Sequence, residues 1–220
     1  MKRKTRGIIF IFLGLLMSFT AARFFAAYEQ QEAIAGENAE ILLQELRQEM
    51  KSAEPEIKIP APTPAPTLPS EEPESPPTEP EVVEMPQTTL NGYALVGILQ
   101  VPAVGLELPI LDSWNYDLLK ISPCRYSGTA AGGNLILLAH NYDRHFGPFK
   151  QLVPGDTVTF LSVDGTRYQY AVTATEILQK TELERLTSSG HDLTLFTCTK
   201  GGYSRVVVRC DKLPTILEQI

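Results

Sequence analysis

Hydrophobic and polar positions follow three different rhythms along this chain, and each rhythm predicts a different element. The first is an unbroken apolar run. Gly7 to Ala22 carries no charge and follows a tip, Met1 to Arg6, that holds four basic residues. As a helix this run is roughly 24 Å long, short of the ~30 Å hydrocarbon core of a bilayer. Continued through Phe24, Phe25 and Tyr28 it reaches about 33 Å, with Arg23 near the outer interface, where it can snorkel. Basic residues before the run and acidic Glu29 and Glu32 after it put the N-terminus inside and the rest of the chain outside. The rival reading is a cleaved leader, because Thr20 to Ala22 resembles a small-residue cleavage site. The uncleaved signal-anchor is the reading kept.

The second rhythm covers Glu29 to Lys51, rich in Glu, Gln, Ala and Leu, with Ile34, Leu42, Leu46 and Met50 on a narrow stripe. That spacing predicts a helix. So thin a stripe reads as a solvated juxtamembrane helix, or as a short dimerising coil.

The third rhythm begins at Gly92. Period-two and short apolar runs predict strands over 94–101, 106–111, 134–139, 157–163, 167–173, 193–197 and 205–210. Asp164-Gly165 marks a hairpin, and Pro154 to Asp156 and Gly132-Gly133 mark further turns. Tyr116–Ile121 and Lys180–Leu186 read as short helices. So many strands in so short a segment predict a small barrel or sandwich.

Charge and composition separate these regions. The net charge is −7, which argues against a general nucleic-acid binder. All of it belongs to the stretch from Ser52 to Leu90, where eight glutamates face one Lys58. Eleven of the 17 prolines fall between Ala53 and Gln87. This composition cannot bury enough apolar surface to fold and predicts a stiff spacer that lifts the following domain off the membrane. The expected organisation is therefore 1–28 basic tip and transmembrane anchor, 29–51 juxtamembrane helix, 52–91 Pro/Glu-rich linker, 92–213 β-rich domain and 214–220 tail.

The chemistry collects at strand ends. Leu193 to Cys198 is an apolar strand ending in a cysteine and followed by a glycine-bearing loop, Thr199 to Gly202. Asn134 to His140 delivers a histidine in the same way, and Arg205 leads the strand Val206 to Val208. A thiol, an imidazole and a guanidinium held on rigid strands are what nucleophilic acyl transfer requires. Arg209 shares a strand face with Arg205 by alternation and is the alternative to it. His145 and His191 follow no apolar strand and read as surface loop residues. Asp143 reads as part of a polar loop rather than as a group orienting His140. The three cysteines suggest one free thiol and one disulfide, Cys124–Cys210, or else two separately buried thiols.

These pieces, in this order, resemble the sortase family across essentially all of Gly92–Leu213. Gly97 to Pro102 and Val104 to Ile110 look like its first two strands. Leu138 to Asn141 carries its histidine, and Phe146 to Phe160 resembles the segment that follows. Thr194 to Cys198 is its Thr-Leu-x-Thr-Cys hallmark, with the Arg-led strand next. The resemblance implies an eight-stranded β-barrel with one or two short helices. It implies Cys198, His140 and Arg205 as catalytic residues and Thr197 and Asn141 as substrate-binding. It implies cleavage of a Leu-Pro-x-Thr-Gly-like sorting signal after Thr, through a thioacyl-enzyme resolved by a cell-wall or pilin amine. No cofactor or metal is expected. The segment between Cys198 and Arg205 is short for the family. No Asp-Pro-aromatic lid precedes the barrel, so the chain resembles class B or D more than the lidded pilin class. Two other outcomes are hydrolysis at the same site, as a cysteine endopeptidase, and a membrane-tethered barrel that only binds.

Overall fold

The computed structural model describes residues 2–53, 84–188 and 190–214. The linker expected over 52–91 and the tail over 214–220 therefore lie largely outside the described residues. Within the described part of the linker, Thr88–Leu90 forms a strand, β1.

The strands that follow are β2 (Tyr93–Val101), β3 (Leu106–Leu111), β4 (Cys124–Ser127), β5 (Leu135–Ala139), β6 (Thr157–Ser162), β7 (Arg167–Gln179), β8 (Leu193–Cys198) and β9 (Ser204–Lys212). They are hydrogen-bonded in the order β1-β2-β3-β4-β5-β8-β9-β7-β6, and β6 returns to pair with β2. The result is a closed eight-stranded barrel, β2 to β9, with β1 added outside β2. Closure removes the sheet edges that would otherwise invite aggregation. Gly97 makes the closure possible, since a Cβ there would meet the Leu161 carbonyl oxygen at 2.3 Å.

Seven strands stand where period-two patterning places them. The short strands β1 and β4 carry too few alternating residues to register in that pattern. β4 joins β3 through a single parallel pairing, Leu111 with Cys124. The Asp164-Gly165 turn joins β6 to β7, with Gly165 at a φ of 85°. The helix expected over 116–121 shrinks to a 3-10 turn, Leu118–Lys120, and the one over 180–186 becomes α2, Leu183–Thr187.

Alternation gives the barrel two apolar faces. The inward face, with Val96, Leu99, Leu135, Leu137, Phe160, Tyr170, Leu195, Val208 and Cys210, fills the lumen. The outward face carries a second cluster that includes Leu95, Ile98, Leu111, Cys124, Leu138, Phe196 and Val207.

That second cluster is covered by a helix. Lys2–Ala53 is one continuous helix, α1, and its Ala35, Ala39, Leu42, Leu43 and Leu46 are buried. Their i, i+4, i+7, i+8, i+11 spacing is a single stripe. The segment expected to be a solvated juxtamembrane helix is therefore docked on the barrel. Ile34 points away from the barrel and is exposed. The stripe is widened by two alanines, which large-residue spacing overlooks. Small residues bring the helix close: a Cβ on Gly36 would lie 2.3 Å from Arg144 Cδ.

Cys124 and Cys210 are both free and buried. β5 and β8 separate their strands, which places them on the order of 12–14 Å apart, beyond disulfide reach. They also belong to opposite faces of the barrel wall. The disulfide expectation is corrected accordingly: both thiols are core residues.

Candidate active site

Three neighbouring strands bring the expected catalytic residues together. Ala139 is paired with Thr197 across the parallel β5–β8 ladder, and Cys198 with Arg205 across the antiparallel β8–β9 ladder. His140 is the next residue after β5. His140, Cys198 and Arg205 thus follow one another in a row at one end of the barrel. Leu138, Phe196 and Val207 lie one step of alternation further in and belong to the outer cluster. The three reactive side chains share that face and stand over an apolar floor.

A cavity of about 220 Å³ contains all three residues. One wall is aromatic. Trp114 stacks on Tyr126 at 5.6 Å, and Tyr126 meets Phe196 edge-on at 5.5 Å. The other wall is formed by α2 and the end of β7, through Gln179, Leu183 and Leu186. Neither wall is evident from the strand-end motifs. The only tryptophan of the chain, in a loop two residues before Tyr116, was the available signal.

His140 is half-buried and its pKa is lowered, first by burial and then by the positive charge of Lys120. Its ring is tilted against Tyr142 at 4.9 Å. Arg205 donates through Nη1 to the carbonyls of Ser204 (3.1 Å) and Gly202 (3.3 Å), bracing the loop that follows the cysteine. Arg209 does something else. It is buried, pairs with Glu176 at 3.0 Å, and donates to Thr194 Oγ1 and to the carbonyls of Arg185 and Leu186. Those carbonyls belong to α2, so Arg209 fastens the cavity wall and stays out of the cavity.

Of the two residues expected to bind substrate, Thr197 lines the cavity and Asn141 does not. The Thr197 hydroxyl donates to the Ala139 carbonyl at 2.8 Å and is buried, tying β8 to β5. Asn141 Oδ1 lies over Gly147.

The other two histidines differ from a surface-loop expectation. His145 is fully buried. Burial pushes its pKa down to about 4, against a smaller opposite pull from the Ala35 backbone in α1. Nothing local announces this burial, because the covering element is over a hundred residues upstream. His191 is half-buried and its Nδ1 lies 2.7 Å from Asp211.

A closed barrel with a thiol, an imidazole and a guanidinium side by side in a surface cavity is the frame of an acyl-transfer enzyme. Residues 99–213 match the sortase domain family. Sortase A of Bacillus anthracis is 30% identical over 145 residues, 62% of this chain and 69% of that one. The fold is shared with sortase A from Corynebacterium diphtheriae, at 18% identity and a TM-score of 0.51, covering 57% of this chain and 64% of that one. It is shared equally with sortase C1 from Streptococcus suis, at 24% identity and a TM-score of 0.50, covering 57% and 76%. The chain belongs to the sortase family, whose members are cysteine transpeptidases.

Proposed function

We propose that this enzyme cleaves a Leu-Pro-x-Thr-Gly-like sorting signal after Thr and transfers the severed surface protein to a cell-wall or pilin amine. The observation that carries this reading is the register: Cys198 stands between His140 and Arg205 on adjacent strands, all three opening into one cavity.

In this reading the Cys198 thiolate attacks the carbonyl carbon of Thr in the signal. A C–S bond forms, and the tetrahedral intermediate's negative oxygen is stabilised by Arg205. The C–N bond then breaks as the His140 imidazolium gives its proton to the departing amine. An incoming amine attacks the thioester, His140 recovers a proton, and Cys198 leaves as thiolate. The lowered His140 pKa supports a neutral imidazole in most molecules near neutrality. The reactive thiolate–imidazolium pair is then a minority form, and turnover is slow.

The anchor reading has its own support. The helix from Ile9 is long and apolar enough to cross a membrane, and its apolar residues are exposed. The basic tip favours a cytoplasmic N-terminus and an extracytoplasmic barrel. The described segment just before the barrel forms β1 beside β2, which supports an unlidded enzyme.

The test is product analysis with a signal peptide, with and without an added oligoglycine amine. Transpeptidation predicts a ligated product that depends on the amine, and none from Cys198→Ala. A product formed only with water would make the enzyme an endopeptidase. Undiminished cleavage by Cys198→Ala would remove the nucleophile assignment.

A further inference from the structure

We propose that the catalytic end of the barrel rests on the outer leaflet of the membrane that α1 spans, so that Cys198 works at headgroup level. The proposal builds on the anchor reading above and adds an orientation and a contact surface to it.

The helix sets the orientation. The C-terminal part of α1 grips the barrel: Glu49 and Glu45 accept hydrogen bonds from Thr88 and Asn91, and Glu40 pairs with Arg144 at 3.0 Å. Glu32 accepts from the Asp143 amide. Tyr28 meets Tyr142 edge-on at 5.9 Å, and Tyr142 in turn packs on His140. Residues 9–31 are exposed, so beyond this point the helix leaves the barrel. It leaves beside the catalytic histidine. Two ring contacts, of 5.9 and 4.9 Å, link His140 to Tyr28, the last residue of the apolar run. The headgroup region of a bilayer is only about 5–8 Å thick on each side. A helix continuous through Tyr28 therefore holds this end of the barrel within reach of the lipid, and the surface it presents decides whether it makes contact.

The surface at this end suits a lipid interface. Tyr203, in the loop between β8 and β9, is 78% exposed, and Tyr116 is 74% exposed. Leu183 and Trp114, on the cavity walls, are also exposed. Lys180 follows β7 and Lys200 precedes Tyr203 in the cysteine loop, both exposed. Exposed aromatic rings settle at headgroup depth. Glu182 on the cavity wall and Asp117 beside Lys120 offset the lysines, so the rings and Lys200 carry the contact. A signal peptide held by its own membrane segment would reach Cys198 without first lifting off the bilayer.

The single tryptophan, Trp114, is a native reporter. The full-length protein is reconstituted into phosphatidylcholine–phosphatidylglycerol vesicles carrying a nitroxide on the headgroup of some lipids. The expected result is loss of most Trp114 emission, with far less loss when the nitroxide is at the acyl-chain end. The double variant Lys200→Glu/Tyr203→Glu should recover emission while keeping the circular dichroism of the parent. Emission untouched by the headgroup nitroxide, in protein that floats with the vesicles and is digested by added protease, would overturn the proposal but leave the anchor standing. Quenching unchanged in the double variant would overturn the contact surface. Protein that fails to float, or whose barrel is sealed from protease, would sink the anchor reading and the proposal together.

Discussion

Cys198 and Arg205 are direct partners across the β8–β9 ladder, joined by a short loop whose carbonyls Arg205 itself holds. An antiparallel pair of this kind puts both side chains on one face, within reach of a common substrate atom. The guanidinium is thus positioned by the same hydrogen bonds that shape the loop after Cys198.

This relationship separates the two arginines experimentally. Arg205→Ala should lower kcat/KM by about 10²–10³-fold, the cost of losing one group that stabilises developing charge, with little change in melting temperature. Arg209→Ala should instead destabilise the fold by about 1–3 kcal/mol, because two α2 carbonyls lose their buried donor while Glu176 keeps Arg185. Thermal melts and peptide cleavage on both variants check this, and the reverse pattern would exchange their roles.

Thiol chemistry should be selective. Cys198 is half-buried at the cavity, whereas Cys124 and Cys210 are buried, with burial raising both pKa values to about 12. Alkylation of native protein should modify one cysteine, and alkylation after unfolding without reductant should modify three. Only one modified after non-reducing unfolding would mean that a disulfide forms.

Lys120 should tune the pH–rate profile. Its charge holds the His140 pKa down, so Lys120→Gln should raise that pKa and move the acidic limb of kcat/KM to higher pH. The shift should be small, since burial is the larger cause and Lys120 is exposed and paired with Asp117. If imidazolium is the working form, the maximum rate rises with it. An acidic limb that stays put would show that His140 does not govern it.

His145 should make the fold acid-sensitive. Its pKa falls from 6.5 to about 4 on folding, so between those values the unfolded chain binds a proton that the folded protein refuses. Its neutral form thus adds stability in full above about pH 6.5, lost progressively as pH falls toward 4, about 3 kcal/mol in all. Denaturant melts at pH 7 and pH 4.5 should show this loss. The loss should shrink in His145→Leu, and an unaltered pH dependence would clear His145 of the effect.

The docked helix should matter to stability. Leu46 is fully buried between α1 and the barrel, and Leu46→Ala should cost about 2–4 kcal/mol. Removing α1 altogether would bare the outer cluster and should lower both solubility and melting temperature. Denaturant unfolding of protein beginning at Glu29, with and without the substitution, measures the contact. A change under about 0.5 kcal/mol would mean the helix is only loosely laid on.

By itself the sequence determined whatever depends on local period and nearest neighbours. Alternation located seven of the strands, the unbroken apolar run located the helix, and the strand-end residues marked Cys198, His140 and Arg205. Those three could be read because each ends or begins an apolar strand, and strands hold their termini where the ladder puts them. Only the tertiary structure decided what depends on distant segments meeting. β1 and β4 are too short for a period and exist because a neighbouring strand offers hydrogen bonds. Arg209 looked equivalent to Arg205 along its strand, and only the arrival of Glu176 and α2 made it a buried support. His145 became a core residue because α1, far upstream, lies over it. Alternation tells which face a side chain takes, but what covers that face is settled when the chain folds back upon itself.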